Sequence, residues 1–170
     1  MIFTQPDSSS CVPTSFAYLV HKEFGLDFDE IFKEVFSASK AMFDLENNGM
    51  SFSQLCDIVE PLGFRTSVHS EKPQSAQYLA GVERLSKVPY IENSIMTQSI
   101  KDGSLEITDT EFVYPEGHAI AVFEGGKLAK VFDSFLGLER DVPLVEILEN
   151  LEKGPEFLVA ESYVPRKESL

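Results

Sequence analysis

Near Pro89 the hydrophobic residues of this chain change period, and few folds can satisfy both halves. Before that point they recur at helical spacing. After it they fall into short apolar runs bounded by Gly, Pro and Asp, as in strands. Helices first and strands second predict an α+β fold, with N-terminal helices packed on a C-terminal antiparallel sheet.

The first helix is the best signalled. Ser8-Ser9-Ser10 leads in, Pro13 stands in the first turn where a missing N–H costs nothing, and Gly25 follows as a stop. Phe16, Leu19, Val20 and Phe24 form one apolar face. A second helix begins near Asp27 or Asp29 and carries Phe28, Ile31, Phe32, Val35 and Phe36. A third begins at Ser51, where Ser51 and Gln54 spell a capping box, and stops at Gly63. A short strand over 64–68 and a weaker helix over 75–87, with Tyr78, Leu79, Val82 and Leu85 inward, complete this half. In the second half, 90–97 and 105–114 read as strands. Residues 118–124 and 127–134 read as a hairpin around Gly125-Gly126, 141–151 as a short helix and 157–164 as a last strand. Residues 1–165 form one expected domain, since 170 residues suit a single core and contain no repeat or linker. Residues 166–170 are expected to fray.

Charge and cysteine content narrow the function. A net charge of −14 argues against nucleic acid, which needs a basic patch, and against anionic membranes. It favours a basic peptide or protein partner. No apolar run reaches the ~18 residues of a membrane span. The N-terminus lacks the basic and apolar regions of a signal peptide. With Cys11 and Cys56 as its two cysteines, the chain is expected in a reducing compartment, cytoplasmic or exported by a non-Sec route. Two cysteines and three histidines show no metal-ligand spacing, so neither metal nor cofactor is expected.

Cys11 opens the first helix. A helix N-terminus carries about half an elementary positive charge, which favours an anion and so raises the thiolate fraction. Cys56 lies inside the third helix and reads as structural. A two-residue Gly-Gly turn would set Glu124 opposite Lys127, and so His118 opposite Asp133. An imidazole held by a carboxylate at one nitrogen and free at the other is what a general base needs. A longer loop would break that register. His21, beside Lys22 and Glu23, is expected in solvent and His69 in a polar loop. Gln5 can reach the Cys11 pocket if residues 6–10 turn back, and its amide and the Cys11 backbone N–H would then meet an oxyanion.

These residues resemble a known family. Gln5-Pro6-Asp7-Ser8-Ser9-Ser10-Cys11-Val12-Pro13 is similar to the opening of papain-like cysteine peptidases, nearest to the C39-like branch that includes bacteriocin-leader peptidase domains. Asn48-Gly49-Met50-Ser51 through Leu62-Gly63-Phe64 resembles that branch's helix and turn. Gly117-His118-Ala119-Ile120-Ala121-Val122 and Val131-Phe132-Asp133-Ser134 resemble its histidine and aspartate motifs. Ser10 stands where Asp is common, Ser134 where Pro is common, and residues 70–115 match no quoted motif. The resemblance implies a papain-like fold and an amide hydrolase with Cys11 as nucleophile, His118 as base, Asp133 as orienter and Gln5 in the oxyanion hole. Peptide cleavage is the first expectation. Glutamine deamidation, acyl transfer and deubiquitinase-like cleavage use the same parts, as would an effector that modifies one host protein. A domain that only binds peptides is the non-enzymatic alternative.

Overall fold

The computed structural model describes residues 3–43, 49–88 and 93–165. Helices α1 (Cys11–Phe24), α2 (Phe28–Met42) and α3 (Phe52–Val59) come first, and a 3₁₀ turn (Glu60–Leu62) follows. Then come β1 (Phe64–His69), β2 (Gln77–Ser86), α4 (Ser94–Asp102), β3 (Glu106–Ile107), β4 (Glu111–Glu124), β5 (Leu128–Asp133), β6 (Leu138–Pro143), α5 (Leu144–Glu149) and β7 (Phe157–Tyr163). The strands make one antiparallel sheet in the order β1-β7-β2-β4-β5-β6, with β3 paired to β4. The fold is α+β.

The local signals for the helices act as expected. Gly25 closes α1 at φ 70°, a left-handed turn that costs glycine little. Asp27 caps α2 by accepting from the Glu30 N–H, and Ser51 and Gln54 form the full capping box of α3. One expectation for α1 fails. The helix is buried without a break from Val12 to Val20, rather than on one face. It lies between the sheet and the other two helices, in contact with β2, β4, β5, α2 and α3. Tyr18 stacks on Phe132 of β5 at 3.9 Å between ring centres.

Two further expectations are corrected. Residues 77–86 form a strand, not a helix, because β2 runs between β7 and β4 in the sheet interior. Leu79 packs with the helices on one face, while Tyr78, Ala80 and Val82 pack in a second core on the other. A strand buried on both faces reads as an unbroken apolar run, with no period to identify it. Residues 94–102 form a helix rather than a strand, capped by the Asn93 side chain on the Met96 N–H and burying Ile95, Met96 and Ser99. The rest of the expected strand over 90–97, and the expected frayed tail, lie outside the described residues. The expected helix over 141–151 shortens to α5, because 138–143 pairs with β5. Among the described residues, no helix is long and apolar enough to cross a membrane.

Candidate active site

Cys11 is the first residue of α1, and the chain reaches it through a tight loop. Asp7 Oδ1 accepts from both the N–H and the hydroxyl of Ser9, each at 3.1 Å. The Ser10 hydroxyl turns back to the Asp7 carbonyl at 3.1 Å and makes no cap on the helix. Its N–H groups therefore meet the helix start uncovered by a serine oxygen, a setting that favours negative charge beside Cys11.

His118 comes to Cys11 on β4, by a route the hairpin register did not foresee. The pairs are Glu124 with Ala129, Val122 with Val131 and Ala121 with Phe132. The loop is therefore two residues longer than a Gly-Gly turn, and Gly125 N–H bonds the Leu128 carbonyl at 3.1 Å. His118 does not face Asp133 directly. A slip of two positions keeps both on one side of the ladder, however, where diagonal neighbours still meet. The His118 Nε2–H donates to Asp133 Oδ1 at 2.8 Å. Against β2, moreover, residues 114–117 of β4 bulge opposite Glu83 alone. The bulge ends on Gly117 at φ 83° and aims His118.

Asp133 is fully buried and three donors hold it. The His118 imidazole and the Phe135 N–H (3.0 Å) reach Oδ1, and the Tyr114 hydroxyl reaches Oδ2 at 2.9 Å. Burial alone would raise its carboxyl pKa, but the His118 charge and these bonds outweigh burial and hold it below the ordinary value. For His118, burial pulls down. The Asp133 carboxylate and the neighbouring Cys11 sulfur outweigh it and push the imidazole up to about 10. Both directions favour the ion pair. With Nε2 on Asp133, Nδ1 is the ring nitrogen left for the thiol. The imidazole packs against Tyr114 and Phe135 at 4.4 and 4.6 Å between ring centres.

Cys11 and His118 share the wall of a cavity of about 440 Å³, together with Ser8, Met50, Gly81 and Glu152 among others. Gln5 does not reach that wall. It is 2% exposed, and its backbone N–H and side-chain oxygen both bond Ser134, while its amide nitrogen donates to the Asp7 carbonyl at 2.6 Å. Ser134 is thus the residue that anchors Gln5 beside Asp133. The other sulfur and rings stand apart. Cys56 accepts from the Thr66 hydroxyl at 3.1 Å, and burial raises its thiol. His21 is half-buried rather than solvated, bonded to the Leu26 carbonyl at 2.7 Å, and His69 ends β1 bonded to Ser67.

Three residues of the site were not foreseen. Tyr114 stands four positions before His118, across the bulge that interrupts the alternation of the strand. Phe135 follows Asp133 by two. Nothing local marks Glu152, which an isolated bridge between Leu151 and Val82 brings beside β2. Its carboxylate fills a cradle left by two glycines, such that a Cβ on Gly81 would lie 2.7 Å from it and one on Gly117 only 1.6 Å. No protein-family model matches this chain, and no curated protein is significantly similar to it.

Proposed function

We propose that this chain is a cysteine hydrolase of the papain-like type that cleaves an amide, most readily a peptide bond. The observation that carries the reading is the chain of contacts Cys11–His118–Asp133, with the sulfur at a helix N-terminus and both Cys11 and His118 on one cavity wall. The resemblance of the four short motifs supports it.

The chemistry follows from the charges. Cys11 as thiolate attacks the carbonyl carbon, forming the C–S bond and placing the π electrons on oxygen. The imidazolium gives its Nδ1 proton to the departing nitrogen as the C–N bond breaks. Water, deprotonated by the now neutral imidazole, then attacks the thioester and releases the acid and the thiol. Asp133 fixes the ring through Nε2 and offsets its charge throughout. The oxyanion would meet the Cys11 backbone N–H, while Gln5, held off the cavity wall by Ser134 and the Asp7 carbonyl, supports the loop that leads to Cys11.

The test is alkylation by iodoacetamide across pH, read by mass spectrometry at each cysteine. Fast labelling of Cys11 at pH 6, slow labelling of Cys56 and a slower Cys11 in His118→Ala are the expected result. Equal rates at Cys11 in both proteins would overturn the reading and leave a peptide-binding domain as its successor.

A further inference from the structure

We infer that the cavity selects a substrate with a lysine or arginine side chain next to the scissile bond, and that Glu152 is the residue that receives it. This rests on the hydrolase reading above and adds the substrate class to it.

The cavity wall contains the carboxylates of Asp102, Glu116, Glu152 and Glu156, and no lysine or arginine. Among the described residues none of the four is in an ion pair. Among the described residues His118 is the one cationic side chain on that wall; Arg84 and Lys153 line an adjoining groove, which Glu116 and Glu152 also border, and Arg84 is paired with Glu111 at 3.7 Å. Asp102 is already engaged by the Ser8 and Ser104 hydroxyls, while Glu116 and Glu156 are exposed. Glu152 differs from all three. It is half-buried, and its carboxylate sits between Gly81 and Gly117, where a Cβ on either glycine would collide with it. The Glu152 N–H is tied to the Gly81 carbonyl at 3.1 Å, so the side chain is presented from a fixed backbone.

The position is the second argument. Gly117 precedes His118, and the Glu152 carboxylate lies against the His118 backbone. A side chain bound there is adjacent to any carbonyl that Cys11 attacks. Burial raises the Glu152 carboxyl above its ordinary value, and the His118 charge opposes that rise, so the carboxylate gains by receiving a cation. A neutral side chain would bury the carboxylate further with only the His118 backbone and charge to offset the loss of water, which is how a polar pocket rejects an isostere. The acidic rim would then steer basic peptides inward.

The experiment compares fluorogenic peptides in which a single arginine is replaced by citrulline, its neutral isostere. A parallel arm measures modification of Cys11 by the cationic reagent aminoethyl methanethiosulfonate and its anionic sulfonatoethyl counterpart. Wild type, Glu152→Gln and Glu116→Gln are tested. Glu152→Gln keeps the shape in the glycine cradle, and thermal unfolding checks that it folds. The expected result is an arginine preference in kcat/KM of about 10–100-fold that collapses in Glu152→Gln and shrinks less in Glu116→Gln. Equal turnover of the two peptides would overturn the inference and leave the hydrolase standing. If neither peptide is cleaved, the peptidase reading fails by itself. The thiosulfonate arm then decides: a cationic preference lost in Glu152→Gln supports the cation pocket, and equal rates overturn it.

Discussion

The Ser15 hydroxyl donates a 3.0 Å hydrogen bond to the carbonyl of Ala119, with both residues buried. Ser15 lies four positions after Cys11 and so on the same face of α1, and Ala119 is the neighbour of His118. This bond fastens the helix that carries the sulfur to the strand that carries the imidazole. Ser15→Ala is expected to cost about 1 kcal/mol in urea unfolding. Cys11 alkylation should slow by more than that loss of folded protein explains. An unchanged alkylation rate would show that the bond serves stability alone.

The buried ion pair predicts the response to alkali. The native His118 binds its proton more tightly than the unfolded one, whose ordinary value is 6.5. Its contribution is complete below that value and is lost as pH rises through about 10, since over that range the native state holds more protons. Asp133, depressed in the fold, contributes above its ordinary 3.8 and fails only in stronger acid. Urea unfolding of wild type should therefore lose on the order of 3 kcal/mol between pH 6.5 and 10 relative to His118→Gln. A parallel decline in both proteins would argue that the imidazole is not charged in the fold.

Tyr114 acts through Asp133 and is a positioning residue. Tyr114→Phe keeps the ring against His118 but removes the donor to Oδ2. The Asp133 carboxyl then moves up toward its ordinary value, so the acid limb of the pH–rate profile should shift to higher pH while kcat falls more than KM changes. The stability cost is about 2 kcal/mol, as for a bond to a charged acceptor. A stability loss with an unmoved acid limb would assign Tyr114 a packing role only.

Glu23 works against the fold at neutral pH. Its Oε2 is buried without a partner among the described residues, and burial pushes the carboxyl up from 4.5 to about 7. The unfolded chain ionises first, so stability falls as pH rises from about 4.5 to 7. Glu23→Gln removes this penalty. After discounting for its half exposure to solvent, the gain is about 1 kcal/mol at pH 8, and none is expected at pH 4. Thermal unfolding at the two values checks it, and a gain equal at both would point to another cause.

What the sequence made legible was what local chemistry decides. Pro13, Gly25, Ser51 and Gln54 mark helix ends through bonds made within a turn, and those ends stand where the residues put them. The His118–Asp133 meeting was legible for a subtler reason. The hairpin slipped by two, and a slip of two preserves the face, so the pairing survived an incorrect register. β2 was illegible because Tyr78–Val82 is buried on both sides, and α4 because its short buried stripe, Ile95, Met96 and Ser99, holds only two apolar residues. Tyr114 depends on a bulge and Glu152 on an isolated bridge between Leu151 and Val82, neither of which leaves a periodic trace.

The anchoring of Gln5 on Ser134 has a consequence for how the molecule is made. The two are separated by 129 positions, and Phe3 N–H likewise waits for the Gly137 carbonyl. At about 5–20 residues per second, a ribosome needs roughly 6–26 s to pass from one to the other. During that interval the segment leading to Cys11 has emerged with nothing to dock on, and the strands that carry His118 and Asp133 do not yet exist. The thiol therefore emerges unassisted, and its partners reach it only after the strands that carry them have been made. Under the proposed hydrolase reading, a chain truncated before Ser134 is expected to be inert.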